Sequence, residues 1–131
     1  MKLIIASYFL LILTVGCISD DSSERTYDQK KITDLRQEII DLVDSSVCND
    51  DSECAYIAFG SKPCGGPWEY LVYSTSIDTQ LLLSKVEEYN ATEKAYNEKW
   101  GIISDCMYVT PPEDVICEDG KCKAVYPEIG E

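Results

Sequence analysis

Sulfur is the chemistry this sequence offers most plainly. It has seven cysteines and no histidine. Cys17 stands apart near the start, and Cys48, Cys54, Cys64, Cys106, Cys117 and Cys122 are spread over the rest. Without histidine, no Ser-His or Cys-His pair can activate a nucleophile. Structural zinc sites favour closely spaced cysteine pairs, often completed by histidine. Here the nearest pairs, Cys48/Cys54 and Cys117/Cys122, enclose five and four residues, so no metal site is expected. Beyond Cys17 the cysteines form an even set, which reads as three disulfides with the pairing left open. A cysteine held in a disulfide supplies no thiolate nucleophile.

Other constellations fall short of a recognisable chemistry. Gly65-Gly66 is followed by Pro67 rather than by a lysine and a helix, which excludes a phosphate-binding loop of the usual kind. Asn49-Asp50-Asp51-Ser52-Glu53 gathers several oxygens. Cys54 stands where an EF-hand loop needs its glycine, so the stretch reads as an acidic turn. A glycosidase needs two carboxylates across a cleft, and about 100 ordered residues leave little room for one. The chain is therefore expected to be no enzyme and to carry no cofactor. The most distinctive stretch is Gly60-Ser61-Lys62-Pro63-Cys64-Gly65-Gly66-Pro67-Trp68. A loop pinned at Cys64 would lose little entropy on binding. Ser61, Lys62, Pro63, Gly65, Gly66 and Trp68 are accordingly candidate binding residues, with a partner or an extracellular hydrolase as the target. The plainer reading makes Gly and Pro shape a tight crossing, with Cys64 as its anchor and Trp68 buried.

The N-terminus carries an address. Met1-Lys2 is followed by a mostly apolar run, Leu3 to Leu13, which has the length of a signal-peptide core and is too short to span a bilayer. Leu13-Thr14-Val15-Gly16-Cys17 resembles the lipobox of bacterial lipoproteins, although leucine stands four residues before the cysteine rather than three. The resemblance implies cleavage after residue 16, lipid on Cys17 and a membrane-anchored location facing the periplasm or the cell exterior. Ile18-Ser19-Asp20-Asp21 resembles the acidic signal of surface lipoproteins in Bacteroidetes. The cysteine pattern around Asp51-Ser52-Glu53-Cys54, Lys62-Pro63-Cys64-Gly65-Gly66-Pro67 and Gly120-Lys121-Cys122 resembles that of uncharacterised cysteine-rich bacterial lipoproteins.

Charge narrows the partners. Eleven Lys and Arg face 24 Asp and Glu, a net charge of -13. Removal of residues 1–16 would take away only Lys2 among these. Such a surface repels phosphate backbones, so nucleic acid is not an expected partner. A monomer is expected, attached to the membrane through its lipid and meeting an extracellular or periplasmic partner.

The elements that must position these groups follow from periodicity. Residues 17–30 are polar and acidic and read as a flexible tether behind the lipid, which leaves 31–131 for the folded domain. Ile32, Leu35, Ile39, Leu42 and Val43 recur at helical steps and predict a helix over 32–47. Cys54 to Phe59 and Trp68 to Tyr73 predict strands. A long helix is predicted over 78–100, capped by Ser76 or Asp78 and stopped by Gly101. Its stripe Leu82, Val86, Tyr89, Glu93, Tyr96 and Trp100 faces a core. Asn90-Ala91-Thr92 fits the glycosylation acceptor pattern by chance. Residues 105–109 predict a further strand. Val115 to Tyr126 predicts a hairpin turning at Asp119-Gly120, where both turn positions need positive φ. In that register Cys117 lies opposite Cys122. The two could bridge each other, or each could reach back to Cys48 and Cys54. The fold class is α+β: two helices on a short antiparallel sheet, closed by a C-terminal hairpin and stabilised by disulfides.

Overall fold

A computed structural model describes residues 21–127. The expected signal peptide, Cys17 and the segment Ile18 to Asp20 lie outside the described residues. The element order is α1 (Asp21–Asp44), a 3-10 turn (Asp51–Glu53), β1 (Cys54–Phe59), β2 (Glu69–Ser74), α2 (Thr79–Trp100), β3 (Asp114–Glu118) and β4 (Lys121–Val125). The expected α+β class is observed, with β1–β2 and β3–β4 as separate two-stranded antiparallel sheets. Among the described residues no helix is long and apolar enough to cross a membrane.

The core follows from the strand alternation. In the β1–β2 register Ala55 faces Tyr73, and Ile57 faces Leu71. Paired residues share a face, and this face meets both helices. Ile39 from α1 joins Phe59, Leu71 and Tyr73 from the sheet and Leu82, Val86 and Tyr89 from α2 in one buried cluster. Phe59 and Tyr89 stack with ring centroids 4.4 Å apart. Asp78 caps α2 by accepting from the Leu81 N–H at 3.0 Å. Gly101 ends it in the left-handed conformation, as its position predicts. Ser76, the other candidate cap, instead accepts from the Val47 N–H.

Three expectations need correction. First, the tether read over 17–30 is helical from Asp21 onward. Its few apolar residues gave no stripe, and its stability comes from polar contacts with α2. Lys99 bridges Glu24 and Asp28, and the Trp100 indole donates to Asp28. Second, α1 stops at Asp44 rather than running to Val47. Ser46 is buried there, and its hydroxyl accepts from the Ser74 N–H. Third, residues 105–109 form no strand. They run beside the 60–68 loop, held by a disulfide and by Lys62 rather than by a ladder.

The hairpin has the expected register, with Glu118 opposite Lys121 and Cys117 opposite Cys122. Its turn residues Asp119 and Gly120 both have positive φ, 53° and 76°. The cysteines reach outward: Cys48 bonds Cys117, Cys54 bonds Cys122, and Cys64 bonds Cys106. The first two bonds fix the hairpin to the end of α1 and the start of β1. Cys54 alternates with the core-facing Ala55, so the hairpin attaches on the side of β1–β2 away from the helices.

Candidate binding surface

The 60–68 loop is fixed by a polar stripe on α2. Asn90, Glu93 and Asn97 lie three and four residues apart, and so share a face. Asn90 Oδ1 accepts from the Gly60 N–H at 2.7 Å, and Asn90 Nδ2 donates to the Ala58 carbonyl. Glu93 accepts from the Ser61 N–H. Asn97 donates to the Ser61 carbonyl at 2.7 Å. Within the loop, Lys62 and Gly66 are joined by Lys62 N–H to Gly66 O, and Gly65 N–H reaches Lys62 O. Because Asn90 has both amide atoms engaged, the Asn90-Ala91-Thr92 acceptor pattern lies on a helix with its asparagine occupied.

Lys62, one of the candidate binding residues, is turned inward. Only 7% of it is exposed. Its ammonium donates to Asp105 at 3.0 Å and to the Met107 carbonyl at 2.9 Å, and it lies 5.2 Å from the centre of the Trp68 ring. The Lys62 ammonium, foremost, and the Met107 N–H hold the Asp105 carboxyl below its ordinary pKa. Of the other candidate residues, Pro63, Gly65 and Gly66 are exposed and Ser61 is half-buried. Trp68 keeps 39% of its surface exposed rather than being buried. The loop is thus a rigid crossing that links α2 to the 102–112 segment.

Glu93 sits at the hub of this arrangement. Tyr89 also donates to it, at 3.3 Å. Burial pushes its carboxyl above the usual glutamate pKa, against the opposing effects of the Ser61 N–H, Tyr89 and Arg36. An open groove of about 710 Å³ runs between this loop and α2, bordered by Ile57, Pro67, Leu83, Glu87 and Lys94.

The acidic turn after Cys48 is also structural. Asp50 accepts from the Ser52 N–H, Glu53 from the Asn49 N–H at 2.7 Å, and Asp51 from the Cys117 N–H at 2.6 Å. The sulfurs of Cys48, Cys54 and Cys122 lie within 4.8 Å of one another, each already in a disulfide.

The sequence reading missed an exposed aromatic surface. On the sheet face away from the helices, Tyr56 pairs with Val72 and Ala58 with Tyr70. The Tyr56 and Tyr70 rings meet edge-on, centroids 5.7 Å apart. The Tyr70 phenol also lies in the field of Tyr108 and Tyr126; burial first, and then these neighbouring phenols, raise its pKa. Tyr108 is 80% exposed and Tyr126 50%. Tyr56 and Tyr70 come from strand alternation, Tyr126 from the end of β4, and Tyr108 from the irregular 102–112 segment. Only the alternation was visible in the sequence, because the other two tyrosines arrive through the hairpin and the Cys64–Cys106 bond.

The chain matches no family model, no curated protein and no solved structure.

Proposed function

We propose that the protein is a lipid-anchored, non-enzymatic binding module of the bacterial cell envelope. The observation that carries this reading is the tyrosine surface, Tyr56, Tyr70, Tyr108 and Tyr126, displayed on a frame closed by three disulfides. Tyrosines give large contact area at small entropic cost, which suits recognition. Disulfides suit an oxidising compartment, in keeping with the lipobox resemblance at Leu13 to Cys17. Inhibition of an extracellular hydrolase through residues 60–68 would have to use Pro63, Gly65, Gly66 and the exposed part of Trp68, since the Lys62 cation is enclosed.

Two measurements test the reading. Mass analysis of the protein from a bacterial membrane fraction should give a chain beginning at Cys17 and carrying lipid, and Cys17→Ser should abolish both the added mass and the membrane association. The mature chain with Cys17→Ser, immobilised, should retain an envelope component that the same chain with Tyr108→Ser and Tyr126→Ser releases. Equal retention by both, or an unprocessed chain in the cytosol, would overturn the proposal.

A further inference from the structure

Two disulfides of this molecule lie side by side. The sulfurs of Cys48, Cys54 and Cys122 are all within 4.8 Å of one another. The fourth sulfur, on Cys117, is bonded to Cys48, while Cys54 is bonded to Cys122. Each bond thus has a sulfur of the other as its neighbour. Cys64–Cys106 is different: neither of its sulfurs belongs to such a group among the described residues.

A second pairing fits the same four positions. Cys117 faces Cys122 across the hairpin, and the Cys117 N–H donates to Asp51 instead of across the ladder. That marks a non-hydrogen-bonded pair, whose Cα atoms approach to about 4.5 Å, inside the range a disulfide spans. Cys48 and Cys54 flank the turn 49–53, which Glu53 draws closed by accepting from the Asn49 N–H at 2.7 Å. The local pairs, Cys48–Cys54 and Cys117–Cys122, would close loops of a few residues in place of spans of 69 and 68. Short loops cost less chain entropy to close than long ones. Chain entropy therefore favours the local pairs, and the folded contacts of the hairpin favour the observed ones. Among those contacts are Cys48 N–H to Gly120 O and the Lys121 ammonium on the Asp44 and Ser46 carbonyls.

Exposure sets the point of entry. Cys48 is 3% exposed, whereas Cys54, Cys117 and Cys122 are half-buried. Attack on Cys117 would expel Cys48 as a thiolate cut off from water, which is costly. The Cys54–Cys122 bond is the more open one. We propose that the four cysteines form a thiol–disulfide exchange site, at which a small thiolate re-pairs the bonds and so releases the hairpin from α1 and β1. The thiolate attacks the Cys122 sulfur, forms a mixed disulfide and expels the Cys54 thiolate. Cys54 attacks the neighbouring Cys48 sulfur, and the Cys117 thiolate leaves. Cys117 attacks Cys122 across the hairpin and expels the small thiolate. Three sulfur–sulfur bonds form and three break, so no oxidant or reductant is consumed and the thiol acts as a catalyst.

The test uses the chain from residue 17 onward with Cys17→Ser, folded with its three disulfides. Free cysteine is added at about a tenth of the protein concentration, near pH 8. After an acid quench, trypsin cutting at Lys121 separates Cys117 from Cys122, and cutting at the acids of 49–53 separates Cys48 from Cys54. Mass spectrometry should find Cys48 linked to Cys54 and Cys117 linked to Cys122, with total free thiol unchanged and Cys64–Cys106 intact. The re-paired share should grow as mild denaturant loosens the hairpin. Cys122→Ser leaves Cys54 free and needs no added thiol. An alkylating label should then appear on Cys117 as well as Cys54, in a ratio independent of protein concentration. Cys64→Ser, whose Cys106 has no adjoining disulfide, should take label at Cys106 alone. Recovery of only the observed pairs from the native chain would overturn the proposal, as would label on Cys54 alone in a folded Cys122→Ser. Re-pairing that also draws in Cys64 and Cys106 would overturn it too, because it marks exchange through the unfolded chain.

Discussion

At the scale of single residues, the loop depends on groups whose types look ordinary in the sequence. Gly60 has φ of +86°, and a Cβ placed there would fall 2.5 Å from Trp68 Cδ1 and 3.1 Å from Glu93 Oε2. Gly60→Ala therefore adds backbone strain and a collision with the indole. It should cost about 1–3 kcal/mol, read as a lower denaturant midpoint together with altered Trp68 fluorescence. An unchanged midpoint would mean that the loop yields without strain. Glu93 gives a pH signature. Because burial raises its folded pKa, its contribution is full below the unfolded glutamate value, about 4.3, and is lost as pH rises through the raised value. Glu93→Gln removes that dependence while keeping an oxygen for the Ser61 N–H. Thermal melts across this range should show the variant gaining on the native chain as pH rises. Parallel curves would refute the assignment. Neither residue's role was legible in advance: Glu93 falls on the apolar stripe of α2, and only the structure shows that the stripe borders a second, polar one through Asn90 and Asn97.

At the scale of elements, legibility followed the apolar pattern closely. β1 is observed at Cys54–Phe59, as the run of aromatic and β-branched residues predicts, and α2 starts and stops at its expected caps, Asp78 and Gly101. The hairpin register was readable because Asp119-Gly120 fixes the turn, and the register then fixes every facing pair. The first turns of α1 were unreadable for the opposite reason. Their partners are charges distant in sequence, separated by 71 and 75 residues for Lys99 with Asp28 and Glu24, and no local periodicity records them. Exposed ion pairs contribute about 0–1 kcal/mol, so Lys99→Ala should scarcely move global stability. It should instead let residues 21–30 open more often. Amide hydrogen exchange should quicken there and stay unchanged in β1, β2 and α2. Uniform protection across α1 in the variant would show that packing, not Lys99, holds the helix.

For the whole molecule, the disulfides do two separable jobs, and their geometry says which bond does which. Cys48–Cys117 and Cys54–Cys122 span 69 and 68 residues and fasten the hairpin to the main sheet, whereas Cys64–Cys106 spans 42 and joins only the 60–68 loop to the 102–112 segment. On chain entropy each closes a loop worth about 4 kcal/mol, so entropy alone predicts similar losses from removing any of them. The folded contacts predict a difference. The hairpin shares no ladder with β1–β2, and its main-chain links to the rest are few, among them Cys48 N–H to Gly120 O and Cys117 N–H to Asp51. Without Cys54–Cys122 the hairpin pivots on Cys48–Cys117 and on the Lys121 contacts with the Asp44 and Ser46 carbonyls, so the β4 end that carries Tyr126 is freed. Without Cys64–Cys106, the Lys62 contacts with Asp105 and Met107 still bind the two segments. Replacing Cys54 and Cys122 by serine should therefore lower the melting temperature more than replacing Cys64 and Cys106. The first variant should also change the chemical shifts of the Tyr126 ring, and the second should keep them. Equal losses in both would mean that the bonds act only by restricting the unfolded chain, and that the folded hairpin stays in place without them.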